Sequence, residues 1–393
     1  VRRGVTSAGE LVDVDGLVPG TTYFYAFRAH GGHSATGRTR TLPQGEVERL
    51  RFAVASCANI QDGAFAAYAC IARMEALDAV LHLGDYIYEY GDRPGARVPL
   101  DPPHEILALA DYRRRYAFYR SDPALQACHR MHAFIAVWDD HESANNAWRD
   151  GAGNHDPARE GPWSERRTAA IRAWREWMPV RDAAPDAPIY RAFRFGKLAD
   201  LMVLDTRLEG RARQAPSARA IAGDPQREML GAAQEHWLFD ELEASVARGA
   251  RWRLLGQQVV FAPMGSVNPD QWDGYPAARQ RILDHLREAS IDNVVILSGD
   301  IHSSWALDVT ADPYDASVYD PATGRGAQAV EFVTPGIASR PLGDYLREHA
   351  PDAYRHLLDS VPRQPHLRVG DYSNRGFLSV ELSAERVEAA WHF

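Results

Sequence analysis

Six short apolar runs punctuate the chain between residues 51 and 305, and most of them stop abruptly at a polar residue. They read "RFAVASC", "AVLHLGDYIYEY", "AFIAVWDDHE", "LADLMVLDTR", "WRLLGQQVVFA" and "NVVILSGDIHSSW". Each run is of strand length, and the endings are Asp, His, Cys or Asn. Nearly continuous apolar runs of this length suit strands covered on both faces. Helical spacing of apolar residues recurs between them, in "AFAAYACIARMEAL", "SERRTAAIRAWREWM", "PQREMLGAAQEHWLFDELEASVA" and "ARQRILDHLREAS". Strands alternating with helices predict an α/β chain with a mainly parallel, buried sheet. Ligands of such sheets bind beyond the carboxyl ends of the strands. The two ends of the chain read differently. "LVPGTTYFYAFRAHG" alternates with a period of two after a Pro-Gly turn, and "GRTRTLP" is a second short strand that stops at proline. "RGFLSVELSAERVEAAWHF" predicts an antiparallel pair turning at Ser383-Ala384-Glu385. "DGAGNHDPAREGP" and "VTADPYDASVYDPATGRGA" read as loops from their Gly, Pro and Asp content.

Composition narrows the function classes. The chain has 393 residues, 45% hydrophobic and 25% charged, enough for a large core and one to three domains. No apolar run approaches the roughly 18 residues that a membrane-spanning helix needs. The net charge of −9 offers no nucleic-acid surface, and Lys197 is the only lysine among 44 basic residues. The first residue is Val and no leader pattern follows it, so the expectation is a removed leader or a cut from something longer. Three cysteines, Cys57, Cys70 and Cys128, allow one bridge at most, and each reads first as a small buried hydrophobe.

The strand endings carry the candidate chemistry. They deliver Cys57; Asp85 and Tyr88; Asp139, Asp140, His141, Asn145 and Asn146; and Asp300 with His302. Asp205 and Arg207 close a fifth run, and Gln257 and Gln258 lie within a sixth. Taken singly these are turn caps, core aromatics or a solvated charge run. Taken together they repeat one kind of ending on successive buried strands, which a parallel sheet would present along one edge. A carboxylate at such an edge can bridge two metals about 3.5–4 Å apart that clamp a phosphoryl group and activate water. The tryptophans at 163, 174 and 177 sit at near-helical spacing and read as core.

The set SC-x-N, GD-x-x-Y, W-D-D-H-E with N-N, L-D-T-R, S-G-D-x-H-x-x-W and the later "NRGF" resembles the alkaline phosphatase D (PhoD) family, within the calcineurin-like metallophosphoesterases. The resemblance runs in order over residues 10–393. It implies two mixed β-sheets sandwiched between helices, with residues 50–393 as the catalytic domain and 1–45 as a small annex, the end of a fibronectin-like N-terminal β-sandwich. It implies hydrolysis of phosphomonoesters, and also of phosphodiesters, by metal-activated hydroxide, on substrates that extend to phospholipid and nucleotide esters, in the periplasm or outside the cell. Its implied cofactors are Fe3+ and Ca2+, one or two of the latter. Cys57, Tyr88, His302 and Asp85 would form the iron site. Asp85, Asp140, Asp300 and an amide from Asn145 or Asn146 would form the calcium site, with Asp139 left as an alternative to Asp140. Thiolate and phenolate suit a redox-capable transition metal; carboxylate and amide oxygens suit a hard cation. Zinc or magnesium fits the set less well. His141 would be free to donate a proton to the leaving oxygen, and Arg207 or Arg375 to clamp phosphate oxygens. An arginine after a strand-end aspartate is more often its ion-pair partner.

Other readings use the same residues. A phospholipase D-like phosphodiesterase would use the same metals. A non-catalytic metal-binding surface protein would have no use for the spare imidazole of His141. A cysteine-nucleophile hydrolase built on Cys57 lacks an arginine in "CANIQDGAF", where a phosphate loop would need one.

Overall fold

The apolar runs become the inner strands of two sheets in the computed structural model, which describes residues 12–29, 31–178, 180–181, 187–216, 220–221, 224, 227–264 and 268–393. In chain order the annex supplies β1 (Thr22–Tyr25), β2 (Arg28–Ala29), β3 (Gly32–His33) and β4 (Gly37–Arg40). Then come β5 (Leu50–Ala55), α1 (Ala66–Arg73), β6 (Ala79–His82), α2 (Leu109–Arg120), α3 (Pro123–Met131), β7 (Phe134–Ala136), α4 (Pro157–Glu160) and α5 (Trp163–Trp177). The second half runs β8 (Arg191–Phe195), β9 (Ala199–Val203), α6 (Ala232–Ala247), β10 (Trp252–Gly256), α7 (Pro276–Glu288), β11 (Val294–Ser298), β12 (Ser304–Val309) and β13 (Ala329–Val333). It closes with α8 (Leu342–His349), α9 (Pro351–Ser360), β14 (Leu367–Asp371), β15 (Phe377–Leu382) and β16 (Val387–His392).

One sheet has the order β16-β15-β5-β6-β7 and the other β14-β12-β13-β11-β10-β9-β8. The centres are parallel: β5 with β6 and β6 with β7 in the first sheet; β9 with β10, β10 with β11 and β11 with β13 in the second. The outer pairings are antiparallel, so the sheets are mixed, less uniformly parallel than the alternation predicts. The reason is chain length between strands. The β8–β9 and β15–β16 connections are too short for the crossover that a parallel pair needs. The β15–β16 pair turns where the sequence predicts.

The sheets share one apolar core. Phe52 of β5 meets Phe195 of β8 edge to face, ring centroids 5.0 Å apart, and Leu254, Val295 and Leu297 join the same cluster. At the parallel edges the sheets approach more closely still. A Cβ on Gly299 would lie 2.6 Å from Ser56 Oγ, so any larger residue there would have to displace Ser56. The segment after β13 crosses from one sheet to the other: Thr334 N donates to Ser298 O, and Thr334 Oγ1 to Val54 O. The carboxyl ends of β5, β6, β7, β9, β10 and β11 therefore open on one place.

Local outcomes differ in four respects. The helix expected across 225–247 is observed from Ala232, and residues 225–226 lie outside the described residues. The run "WRLLGQQVVFA" leaves the sheet after Gly256, because Gln257 and Gln258 spend their amides on Val259 O, Ser298 Oγ and Leu204 O. The first loop candidate contains the short α4, opened by Asp156, whose side chain accepts from Ala158 N. Helix α2 goes unannounced: its buried stripe is Tyr112, Arg115, Tyr116 and Tyr119, polar in name and packed in fact. Trp174 is buried as core, as expected. The annex strands β1 and β4 pair antiparallel, and Arg38 Nε donates to Met131 O beside α3; residues 1–11 and 30 lie outside the described residues.

Candidate functional site

Each strand end turns sharply to aim its side chain into the common space. Cys57, Asp85, Asn146, Asp300 and His302 have φ of 58°, 54°, 52°, 64° and 52°. They are five of the eight non-glycine residues with positive φ among the described residues. The left-handed conformation costs an L-residue about 1–2 kcal/mol, and such strain gathers where function demands a geometry. Gly84, with φ of 105°, lets the loops after β6 and β7 touch: a Cβ there would lie 2.3 Å from Asp139 N. Glu142 ties the same loops together, its Oε2 accepting from Asp85 N and Asp139 N at 2.9 Å and its Oε1 from Tyr86 N at 2.7 Å.

Ligand-capable atoms of Cys57, Asp85 and His302 lie within 4.8 Å of one another. Tyr88 joins them: its hydroxyl donates to Asp85 Oδ2 at 2.9 Å and lies 3.2 Å from His302 Nε2. His302 Nδ1 is 3.0 Å from Arg340 O, a pure acceptor, so the ring proton is assigned to Nδ1 and Nε2 presents its lone pair to the site. Burial pushes the Cys57 thiol well above its ordinary range and pulls His302 down to about 4. Both shifts follow chiefly from taking a charge out of water, with Asp85 adding to the thiol's and the His141 imidazolium to that of His302. A bound cation inverts that logic, and it favours the thiolate.

The oxygen-rich half adjoins it. Asp85, Asp140 and His141 form a second group, and Asp139, Asp140 and Asp300 a third, each within 4.8 Å. Asn146 enters through its backbone, its N–H donating to Asp140 Oδ2 at 2.5 Å. Asp139 Oδ2 and Asp140 Oδ1 are buried without a hydrogen-bond partner. Bare carboxylate oxygens in an interior are costly, and a hard cation is the partner their chemistry fits. Burial pushes Asp300 up to about 6 against the pull of Arg207. For Asp140 burial works in the same sense, but Arg207 and His141 outweigh it and hold the carboxyl below the usual range.

Arg207 lies among these carboxylates rather than beside a substrate. It is fully buried; Nε meets Asp139 at 2.5 Å, Nη1 meets both oxygens of Asp270 at 3.0 Å, and Nη2 meets Asp300 at 2.6 Å and Asp140 at 3.5 Å. Four of its five N–H groups are thus hydrogen-bonded to carboxylates, which speaks against the expected role as a phosphate clamp. The bland expectation, an ion pair with the strand-end Asp205, is met only in kind: Asp205 Oδ1 accepts the backbone N–H of Arg207 and Leu208 at 2.8 Å, and the guanidinium pairs with carboxylates of other loops instead. Arg375 stands outside the cluster and donates Nε to Ala338 O at 2.8 Å and Ser339 O at 3.0 Å. Gln257 is bound into the core and takes no place in the ligand set.

His141 faces the centre with its ring stacked on Tyr88, centroids 4.1 Å apart. Its Nδ1 lies 2.7 Å from Glu89 Oε2. Burial opposes charge on His141, yet Glu89, Asp140 and Asp85 together raise its imidazolium well above the usual histidine range. Sequence reasoning missed Glu89, Glu142, Asp270 and Ser339. Glu89 and Glu142 stand in the quoted motifs; a carboxylate among aromatics is the available signal for Glu89, whereas Glu142 only continues the charged run after Trp138. Asp270 and Ser339 carry no local signal.

The sequence profile of the PhoD-like phosphatase family matches residues 52–391. Alkaline phosphatase D of Bacillus subtilis (strain 168) is 39% identical over 328 residues, 77% of this chain and 54% of that protein. The chain thus spans about half the length of the curated relative it matches. A solved structure of PhoD superposes with a TM-score of 0.82 at 34% identity, over 95% of this chain and 72% of that one. A purple acid phosphatase from yellow lupin (Lupinus luteus) seeds superposes with a TM-score of 0.58 at 14% identity, over 96% of this chain and 58% of its own, a likeness of fold. The expected architecture, two mixed sheets between helices in the calcineurin-like manner, is met.

Proposed function

Because the chain belongs to the PhoD-like phosphatase family, we propose that it is a metallophosphatase that hydrolyses phosphate esters at the junction of the two sheets. The observation that carries this reading is the convergence of Cys57, Asp85 and His302, with Tyr88 hydrogen-bonded between the last two. We assign these four to a ferric ion and Asp85, Asp140, Asp300 and Asn146 to calcium, one ion or two. When bound, such a pair supplies positive charge for the phosphoryl oxygens and an acidified water as nucleophile.

The chain's own residues do the rest. Asp85 lies between the two ligand groups and serves both. Arg207 neutralises Asp139 and Asp300 and fixes their rotamers. His141, with Nδ1 held by Glu89, keeps Nε2 for the leaving oxygen and hands it a proton. Arg375 is left as the arginine to meet phosphate through its terminal N–H groups. Phosphomonoesters, phosphodiesters, and phospholipid or nucleotide esters fall within this reading, as does a periplasmic or extracellular location. Among the described residues no helix is long and apolar enough to cross a membrane.

Elemental analysis of purified protein tests the assignment, with iron and calcium expected together. Asp85→Asn is expected to abolish turnover. Full activity after exhaustive iron removal and restoration with zinc alone would sink the iron assignment. Rates on bis-p-nitrophenyl phosphate, phosphatidylcholine and p-nitrophenyl phosphate rank diesters against monoesters.

A further inference from the structure

Ser339 is fully buried on the segment that follows β13, and its hydroxyl lies 2.7 Å from Tyr88 Oη. Three groups surround that phenol oxygen. Asp85 Oδ2 accepts from it, and His302 Nε2 presents a lone pair because Nδ1 holds the ring proton. Neither can give Tyr88 a proton, so Ser339 is the one donor of the three. The serine hydroxyl is itself oriented: Asn59 N donates to Ser339 Oγ at 3.1 Å, which occupies a lone pair and turns the O–H toward Tyr88. The peptide of Ser339 is fixed as well. Its N–H donates to Cys57 O at 3.1 Å, and Arg375 Nε donates to its carbonyl at 3.0 Å. A hydroxyl pinned at this many points beside a prospective ligand oxygen is built to serve that oxygen.

We propose that Ser339 is a positioning residue that donates a hydrogen bond to the Tyr88 oxygen and thereby tunes the metal that Tyr88 holds, with Asn59 and Arg375 fixing the donor. The proposal rests on the assignment of Tyr88 to iron. Outer partners of this kind typically change metal affinity by about 10–100-fold. A hydrogen bond also draws electron density from a phenolate, which raises the energy of phenolate-to-iron charge transfer.

The test is the visible spectrum of the iron-loaded protein, with Tyr88→Phe identifying the charge-transfer band by its loss. Ser339→Ala is expected to move the band to longer wavelength and to release iron to a chelator about tenfold more readily. Ser339→Thr, which keeps the hydroxyl, is expected to stay near the unmodified protein in both. The phenolate C–O stretch by resonance Raman gives the same comparison where the threonine methyl disturbs packing. A band, stretch and iron retention all unchanged in Ser339→Ala would overturn the proposal while leaving iron on Tyr88. A wild-type iron protein with no such band would instead remove the assignment of Tyr88 to iron, and this proposal with it.

Discussion

The carboxylate of Glu89 has no exposed surface and stands 2.7 Å from Nδ1 of His141. Its other oxygen accepts from Asn145 N at 2.7 Å and from Asn154 Nδ2 at 2.9 Å. One acid therefore both favours the charged imidazolium and fixes the path of the loop that carries Asn146. In Glu89→Gln the amide oxygen can still serve Asn145, but the ring loses its counter-charge, so His141 is less often the imidazolium that gives up the Nε2 proton. The expected loss in kcat is about a hundredfold, with metal content retained. It should be larger for alkyl phosphates than for p-nitrophenyl phosphate, whose leaving group needs little help from a proton. An equal loss on both would mean that His141 is not the acid.

Arg207 is the counter-charge for Asp139, Asp270 and Asp300 in one fully buried side chain. Removing one member of a buried ionic cluster leaves the others unpaired, typically at about 3–5 kcal/mol. Arg207→Met is expected to lower stability by that amount in urea unfolding of metal-free protein. Added calcium should return part of the loss. A stability equal to wild type would show that the carboxylates relax by taking up protons.

Cys57→Ser exchanges a soft ligand for a weak one without changing the side chain's place in the core. The expectation is that iron is lost while the fold is kept. Elemental analysis and circular dichroism on one preparation check both halves. Retained iron would place the thiol outside the ligand set.

Glu331 lies away from the metal candidates, buried in β13, where it accepts from Phe261 N, Ala262 N and Ser298 Oγ. Burial, only partly offset by those three donors, pushes its carboxyl up to about 7. The folded state then holds a proton that the unfolded chain releases from about pH 4.5 upward. Stability from this group is full below that pH and is lost as pH rises through 7, on the order of 3 kcal/mol in all. Glu331→Gln should be less stable overall but should decline less between pH 5 and 8 in urea midpoint. A parallel decline in both proteins would show that the carboxylate is ionised throughout.

Much of the site is legible in the sequence because strand ends announce themselves. An apolar run that stops at Asp, Cys or His marks both the strand and the edge and makes Cys57, Asp85, Asp139 or Asp140, and Asp300 candidates, while their grouping as ligands comes only with the family resemblance. The turn-borne partners are harder. Ser339 lies 280 residues from Asn59 and meets it only because the segment after β13 crosses between the sheets. Glu89 hides in "YIYEY", where a lone acid among aromatics looks like the outward face of a strand. Arg207 shows the converse limit: its residue type fits both a phosphate clamp and an ion pair, and only the four surrounding carboxylates separate the two. Strand order is equally silent in the sequence, since nothing in β15 says that it will lie beside β5.

The left-handed turns at Cys57, Asp85, Asn146, Asp300 and His302 place this centre at odds with the chain that builds it. Glycine would suit each backbone better and would carry no ligand. A lineage released from selection for the metals would find glycine at these positions an easy route to a firmer apo-fold. A descendant with the same sheets and glycines at several strand ends would be the expected fossil of a discarded centre. In a library selected for thermal stability alone, glycine should therefore accumulate at those of these candidate positions that hold no counter-charge, and not at Asp300, which pairs with Arg207.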